Sequence, residues 1–411
     1  MGCRATARSA AAAVLASVRA SATAAVVCAA AAAASAGGGV APAAAQSSAD
    51  SLAARAPVLR TPAGWETLAT GLPEETRLKL RPGFRYDRVD GAVPAAGVAF
   101  QSERDPDPFV YATASYATGR DRFLGEAGFE APIGDPTWLR VGADAFRRTA
   151  TEDDWIVGDL ENTIFALVAR TDYRDWYEAT GWDGHVRVEP GRDVAVTGAI
   201  RIQNESSLPT RVRFSLFGKH DRFRPNPPVR SGDEGLLSVS LRVGPERLPV
   251  GGGTNGTAAY ERAGGVLGRD FDYGRARATL RALHRFSKRT LVRARAIGGS
   301  TREGVLPPQK VWHVGGIGTL RGHDYKAFSG DQFFVANTEC LVRVRKQFFP
   351  FAFLDWGAAW FGRANLDRQQ PGFDGGAGFL VGENGLALTV ARDLRRSDAP
   401  LRFGVRLGAS F

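Results

Sequence analysis

The segment Lys310–Asp331 places five glycines around one arginine, Arg321, in a Leu-Arg-Gly triplet. It has neither helical nor strand periodicity, which predicts a long loop. Gly315, Gly316 and Gly318 permit positive φ angles and close backbone approach. The guanidinium of Arg321 carries five hydrogen-bond donors that need acceptors. The loop is therefore predicted to lie against acceptor groups, and the alternative is a solvated surface loop with Arg321 in water.

Two downstream carboxylates are candidate acceptors for this arginine. In the alternating segment FAFLDWGAAW, Asp355 shares a face with Gly357, which predicts that the carboxylate points inward. Glu339 shares a face with Asn337 and Arg343 and points inward if its strand keeps the same phase. Each carboxylate either anchors the loop by a charge-assisted hydrogen bond or is simply solvated.

Taken together, VGGIGTLRGHDY, the strand with Asn337 and Glu339, and Phe353-x-Asp355-x-Gly357 resemble the C-terminal barrel of the BamA/TamA-like surface-antigen family. These proteins are outer-membrane insertases and translocators. The resemblance implies that the Arg-Gly-aromatic tip folds back into the barrel lumen and meets an acidic residue of the Asp-x-Gly strand. His323 stands where the family has the aromatic. The implied loop motif is Gly315, Gly316, Gly318, Leu320, Arg321, Gly322 and His323, and the implied lumen anchor is Asp355, Glu339 and Gly357.

The residue types and spacings of the common enzymes are missing from the sequence. The five histidines form no His-Glu-x-x-His pattern, and neither Gly-x-Ser-x-Gly nor a phosphate-binding loop occurs. We therefore expect no cofactor, no metal and no catalytic residue, although a hydrolase remains an alternative for a barrel. The excess of 53 basic over 43 acidic residues lacks an aromatic-interleaved basic cluster, so nucleic acid is not an expected partner.

The chain divides into three predicted parts. Residues 1–45 have the basic start, alanine-rich apolar run and Ala43-x-Ala45 site of a signal peptide. Residues 46–81 form a periplasmic lead-in that is shorter than the ~50 residues of an independent domain. A separate periplasmic receiver protein would then replace the periplasmic domains of full-length family members. Residues 82–411 form the barrel.

Strand periodicity dominates the third part. Residues 401–411 place large apolar side chains on one face and Arg402 and Arg406 on the other, and no run of 18 apolar residues occurs. This pattern predicts an all-β fold, a transmembrane antiparallel β-barrel of about 16 strands with the long loop folded back into the lumen. Phe403, Leu407 and Phe411 resemble an outer-membrane targeting signal. A soluble β-sandwich is the alternative fold. Arginines are predicted to face inward at positions 201, 213, 242, 275, 277, 281, 293, 295 and 343.

Turn signals separate eleven predicted strands before the loop and five after it, which places the loop on the extracellular side. The predicted strands begin near residues 84, 109, 123, 138, 177, 194, 210, 236, 258, 274 and 289, and then near 333, 351, 374, 386 and 401. An amphipathic helix near 158–171, with Asp159 as its cap, is predicted between the fourth and fifth strands, on the periplasmic side. It either plugs the lumen mouth or lies on the membrane.

Two functions fit the sequence. The resemblance implies insertion or translocation of proteins or lipids at the bacterial outer membrane, through a barrel that opens between its first and last strands. Its partners would be outer-membrane lipid and, as clients, unfolded outer-membrane proteins or lipid. The alternative is a passive pore lined by arginines, which would favour anions, with the loop as a constriction.

Overall fold

The computed structural model describes residues 66–68, 76–102, 109–134, 138–191, 193–218, 222–246, 248–249, 251–363, 370–382 and 385–407. The predicted signal peptide, most of the lead-in and Phe411 lie outside these residues.

One antiparallel sheet dominates the described chain, because alternating apolar and polar residues suit a wall with two different faces. Fifteen antiparallel ladders join sixteen strands in chain order. A short additional strand, β1 (Glu66–Leu68), pairs with the first of the sixteen. The sixteen are β2 (Thr76–Asp87), β3 (Gly91–Ser102), β4 (Phe109–Ala117), β5 (Arg122–Ile133), β6 (Leu139–Ala150), β7 (Tyr177–Gly191), β8 (Val194–Ser207), β9 (Gly232–Val243), β10 (Gly252–Ala263), β11 (Tyr273–Arg285), β12 (Thr290–Gly304), β15 (Gln332–Val342), β16 (Phe348–Trp360), β17 (Gly372–Val381), β18 (Leu386–Asp393) and β19 (Arg402–Leu407).

The predicted all-β fold and the total of sixteen strands are confirmed, but two errors cancel in that total. Strand β3 was missed, because it follows β2 after a three-residue turn and carries mostly small residues. The strand predicted near 210 is wrong. That segment is irregular, and its amides at Leu216 and Phe217 donate to the carbonyls of Leu167 and Val168 instead of to a neighbouring strand. The first strand of the sheet also begins at Thr76, ahead of the predicted boundary at 82.

The two faces of the sheet differ as a lipid-facing wall requires. Phe84, Leu354 and Phe403 are 58%, 49% and 82% exposed on the outer face, while Asp355 and Arg406 are buried on the inner face. One continuous sheet replaces the two stacked layers of the sandwich alternative. The predicted inward arginines at 201, 275, 277 and 295 are buried, but Arg213 lies exposed in the irregular segment, so its assignment was wrong. None of the described residues forms a helix long and apolar enough to cross a membrane.

Helix α1 (Asp159–Ala169) confirms the predicted helix, but its predicted position was wrong. It lies between the fifth and sixth strands, β6 and β7. Because β3 was missed, the predicted number of strands before the helix was one too low. The helix was therefore predicted at the wrong end of the sheet. Its N-cap is Gly158, without a side-chain hydrogen bond, and not Asp159. The helix contacts both β2 and β19, the first and the last of the sixteen strands.

The connection from β12 to β15 folds back inside the sheet. It contains a small hairpin of β13 (Trp312–Val314) and β14 (Phe328–Gly330). Trp312, Val314 and Leu320 of this loop form the largest apolar cluster, together with Trp155–Val157 before α1 and Phe333 on β15. This cluster holds the loop in the lumen, as predicted.

Candidate functional site

The side chain of Arg321 lies between two buried carboxylates. Its Nε and Nη2 atoms donate to the two oxygens of Asp355 at 2.7 and 2.6 Å, and its Nη1 donates to Glu339 at 2.6 Å. Both carboxylates are fully buried. Burial alone lowers the pKa of Arg321, but the charges of Asp355 and Glu339 outweigh it and raise that pKa above its ordinary value. The guanidinium is thus a charged fork that joins strands β15 and β16.

Neighbouring side chains fix the position of this ion pair. The guanidinium carbon of Arg321 lies 3.5 Å from the centre of the Phe353 ring. The amide of Asn337 donates to Asp355 at 2.8 Å and to the loop carbonyl of Thr319 at 2.7 Å. Arg293 on β12 donates to Glu339 at 2.6 Å, so this carboxylate binds both the loop and β12. The structure therefore brings the predicted anchor residues Asp355 and Glu339 together with Arg321 and adds three supporting groups.

The predicted glycines serve the loop's close approach to its neighbours. Gly315, Gly316 and Gly318 have φ angles of 128°, 77° and 82°. At Gly318 a Cβ would overlap the carbonyl oxygen of Ile156 and lie 3.1 Å from Arg406. Gly318 is therefore the point where the loop touches the segment leading into α1. The predicted Gly357 lies on β16, where a Cβ would be 2.7 Å from the carbonyl oxygen of Phe334 on β15.

Replacing Gly318 by alanine should displace the loop. Gly134 offers a matched control, because it has a φ of 80° and no atom within 4 Å of a Cβ added there. Gly134→Ala should cost about 1–2 kcal/mol, the strain of a positive φ. Gly318→Ala should cost about 1–3 kcal/mol more, because its Cβ also meets packed backbone. The free energy of unfolding measures both variants, and equal costs would contradict the close approach.

His323 binds an acid that the sequence did not single out. Its Nδ1 lies 2.8 Å from Asp374 Oδ1 on β17, and the amide of Gly322 donates to the other oxygen of Asp374 at 2.5 Å. Asp393 on β18 lies farther, 3.8 Å from Nε2. The ligand atoms of His323, Asp374 and Asp393 lie within 4.8 Å of one another, but a cation there would have to displace the hydrogen bond between His323 and Asp374. In place of an aromatic, this loop tip thus has a histidine paired with an acid.

The stability that His323 adds to the contact between the loop tip and β17 should depend on pH. The hydrogen bond to Asp374 raises the pKa of His323 above its ordinary value of 6.5. A raised folded-state pKa contributes stability that is fully present below pH 6.5 and is lost as the pH rises through the folded value. We expect the loop tip to exchange amide hydrogens faster as the pH rises above 6.5, after correction for intrinsic exchange. His323→Gln should abolish this dependence, and an unchanged profile in the variant would contradict the assignment.

Two lysines of the loop form further anchors that sequence reasoning missed. Lys310 Nζ is buried among Glu205, Glu152 and Glu234, at 2.7, 3.2 and 3.4 Å. Burial lowers the pKa of Lys310, but Glu205 and Glu234 outweigh it and raise this pKa well above its ordinary value. No local pattern could have found this site, because the acids lie about 75 to 160 residues away in sequence.

The second lysine, Lys326, holds the loop to the β6–β7 connection. Its Nζ lies 2.7 Å from Asp153 and 2.5 Å from Asp175. Arg321, His323, Lys310 and Lys326 thus tie the loop to opposite walls of the sheet and to the segment around α1. The arrangement is an electrostatic brace across the lumen.

The predicted targeting residues are placed only in part. Phe403 is 82% exposed on the outer face, and Leu407 is partly buried at the end of β19. Their targeting role, together with that of Phe411, stays a prediction.

Comparisons with known proteins support the fold. No protein-family model and no curated protein matches the sequence. Among solved structures, BamA from Haemophilus ducreyi lacking POTRA domains 1–3 matches with a TM-score of 0.56 and 11% identity, over 88% of this chain and 77% of that chain. CdiB from Acinetobacter baumannii (TM-score 0.42, 14% identity) and CdiB from Escherichia coli (0.46, 15%) each match over 82% of this chain and over 60% and 62% of their own. The chain therefore has the fold of the BamA barrel.

Proposed function

We propose that this protein is an outer-membrane barrel of the BamA/TamA-like surface-antigen family and takes part in inserting or translocating proteins or lipids there. The observation that carries the proposal is the Arg321 fork on Asp355 and Glu339, made by a loop inside a sheet with the BamA fold. The fold alone would fit many activities. The loop contact adds the feature that the sequence resemblance associates with insertases and translocators.

The position of the brace suits such an activity. A client that enters the bilayer through the wall needs two strand edges to part, while the rest of the wall keeps its shape. Arg321 and His323 hold β15, β16 and β17 from inside, close to the last strands of the sheet. The remaining wall is held by its continuous ladders. The brace would therefore keep one side of the opening rigid while β19 moves. Clients would be unfolded outer-membrane proteins or lipids, delivered by a separate periplasmic receiver protein.

Charge pairing weighs against the passive anion pore. Arg275 pairs with Glu261 at 2.6 Å, Arg293 with Glu339 at 2.6 Å and Arg201 with Asp183 at 3.2 Å. Paired arginines attract passing anions less than free ones, because the neighbouring carboxylates cancel their field. The loop also lies across the lumen.

The proposal is tested with purified protein in liposomes. An unfolded outer-membrane barrel protein is added, and its folding into the liposomes is followed by its changed mobility in gels. We expect faster folding than in protein-free liposomes, slowed by Arg321→Ala and not by Arg396→Ala, an exposed arginine paired with Asp398. A rate equal to that of empty liposomes, together with an anion-selective conductance, would overturn the proposal in favour of the pore.

A further inference from the structure

Helix α1 supplies hydrogen-bond acceptors to the outer edges of β2 and β19, the first and the last of the sixteen strands. The amide of Leu407 on β19 and the side chain of Arg406 each donate to Glu161 at 2.9 Å. The amide of Tyr86 on β2 donates to Thr163 at 3.3 Å. Amides along a strand point alternately to its two sides, so an amide that donates to the helix is on the side away from the neighbouring strand. The polar side of α1 therefore lies between the two strand edges.

The chain crosses the wall at this helix. Trp155 and Val157, just before α1, belong to the apolar cluster inside the sheet. Ala166, near the end of α1, packs instead on Tyr86, which shares the outward face of β2 with Phe84. Because continuous ladders join the other neighbouring strands, this passage lies at the seam between β19 and β2. The N-terminal part of the β2 edge is paired with β1 at residues 78–80.

The burial pattern of α1 is the reverse of that in a soluble protein. Glu161, Asn162 and Thr163 are buried, whereas Leu160, Ile164 and Val168 are 69%, 36% and 36% exposed. These three apolar residues are spaced by four and form one stripe. Two adjacent surfaces are also apolar and exposed, Phe84 and Phe403 on the end strands and Phe214, Leu216 and Phe217 in the irregular segment beside the helix. The stripe thus continues the outer apolar face across the seam.

We propose that α1 is a wedge that fills the seam between Tyr86 and Leu407, with its polar side on the strand edges and its Leu160–Ile164–Val168 stripe against lipid acyl chains. The occupant of the stripe is lipid, because the stripe is continuous with the lipid-facing wall on both sides. Opening of the seam, which rests on the proposed function, then requires α1 to leave. Glu161 is the latch, because it binds the side chain of one strand residue and the backbone of the next.

Lipid contact is tested by fluorescence quenching. Single cysteines replace Leu160, Ile164 or Val168 in a Cys340→Ala background, carry an environment-sensitive dye and are placed in vesicles of brominated phosphatidylcholine. We expect quenching as strong as at Leu354→Cys, on the outer face of β16, and none at Ser397→Cys, an exposed loop position. Quenching no stronger than at Ser397→Cys would place the helix in water and overturn the wedge.

The latch is tested by cysteine accessibility at the hidden side of the helix. Ala166→Cys, fully buried on Tyr86, should react slowly with a membrane-impermeant maleimide. Adding Glu161→Ala should raise the rate about tenfold or more, because charge-assisted hydrogen bonds are lost. Glu161→Gln should give a smaller rise and serves if the alanine variant does not fold. Rates unchanged in both variants would overturn the latch. Neither readout involves client insertion, so their outcome is independent of the proposed activity.

Discussion

Arg321→Ala is expected to free the loop from the barrel wall without unfolding the barrel. The change leaves Asp355 and Glu339 buried without the cation that bridges them. Removing one partner of a buried ion pair typically costs about 3–5 kcal/mol, and less where water reaches the remaining charge. The strands keep their own ladders, so the cost should fall on the loop. Hydrogen exchange should show the loop amides opening with a free energy lower by about this amount.

Two variants make this result specific. Arg321→Lys keeps the charge but loses the planar fork, so its loss of loop stability should lie between zero and that of Arg321→Ala. Arg396→Ala removes an arginine from an exposed pair with Asp398 and should change the opening free energy by less than about 1 kcal/mol. Loss of the folded barrel in Arg321→Ala would show that the ion pair supports the wall itself, contrary to our expectation.

Lys310→Met is expected to have an effect of similar size at the other end of the loop. The variant keeps most of the side-chain volume but leaves Glu152, Glu205 and Glu234 facing one another without the lysine. We expect a loss of about 3–5 kcal/mol in loop stability at pH 8. The loss should be smaller at pH 5, because protonation of a glutamate removes part of the uncompensated charge. Hydrogen exchange of the loop amides at both pH values measures this loss of stability.

Lys288→Met is the matched control for this variant, because Lys288 lies exposed in the turn between β11 and β12. It should leave the loop unchanged at both pH values. If Lys310→Met loses little loop stability, or loses the same amount at pH 5 and pH 8, the lysine does not neutralise the three glutamates as we infer.

The sequence predicted the contacts of Arg321, because these follow from strand alternation and from the family resemblance. Alternation in FAFLDWGAAW placed Asp355 inward, and the same rule placed Glu339, because a strand's side chains point to opposite faces by geometry alone. The partners of Lys310 and His323 could not be predicted in this way. They depend on which distant strands the folded wall brings opposite the loop, and no spacing along the chain encodes that.

The errors have a local cause. Strand β3 has few large apolar residues and contains Pro94, so its periodicity is weak, and missing it moved α1 to the wrong end of the sheet. The segment at 212–217 alternates like a strand but packs beside α1. Tertiary contacts overrode the pattern there.

The most direct test of the loop brace is a double-mutant cycle on Arg321 and Asp355. The loop-opening free energy is measured by hydrogen exchange in Arg321→Ala, Asp355→Ala and the double variant. Because the two side chains share two hydrogen bonds, the double variant should cost less than the sum of the single variants by about 1–3 kcal/mol. Single costs that add to within about 0.5 kcal/mol would contradict the brace, since independent sites behave in that way.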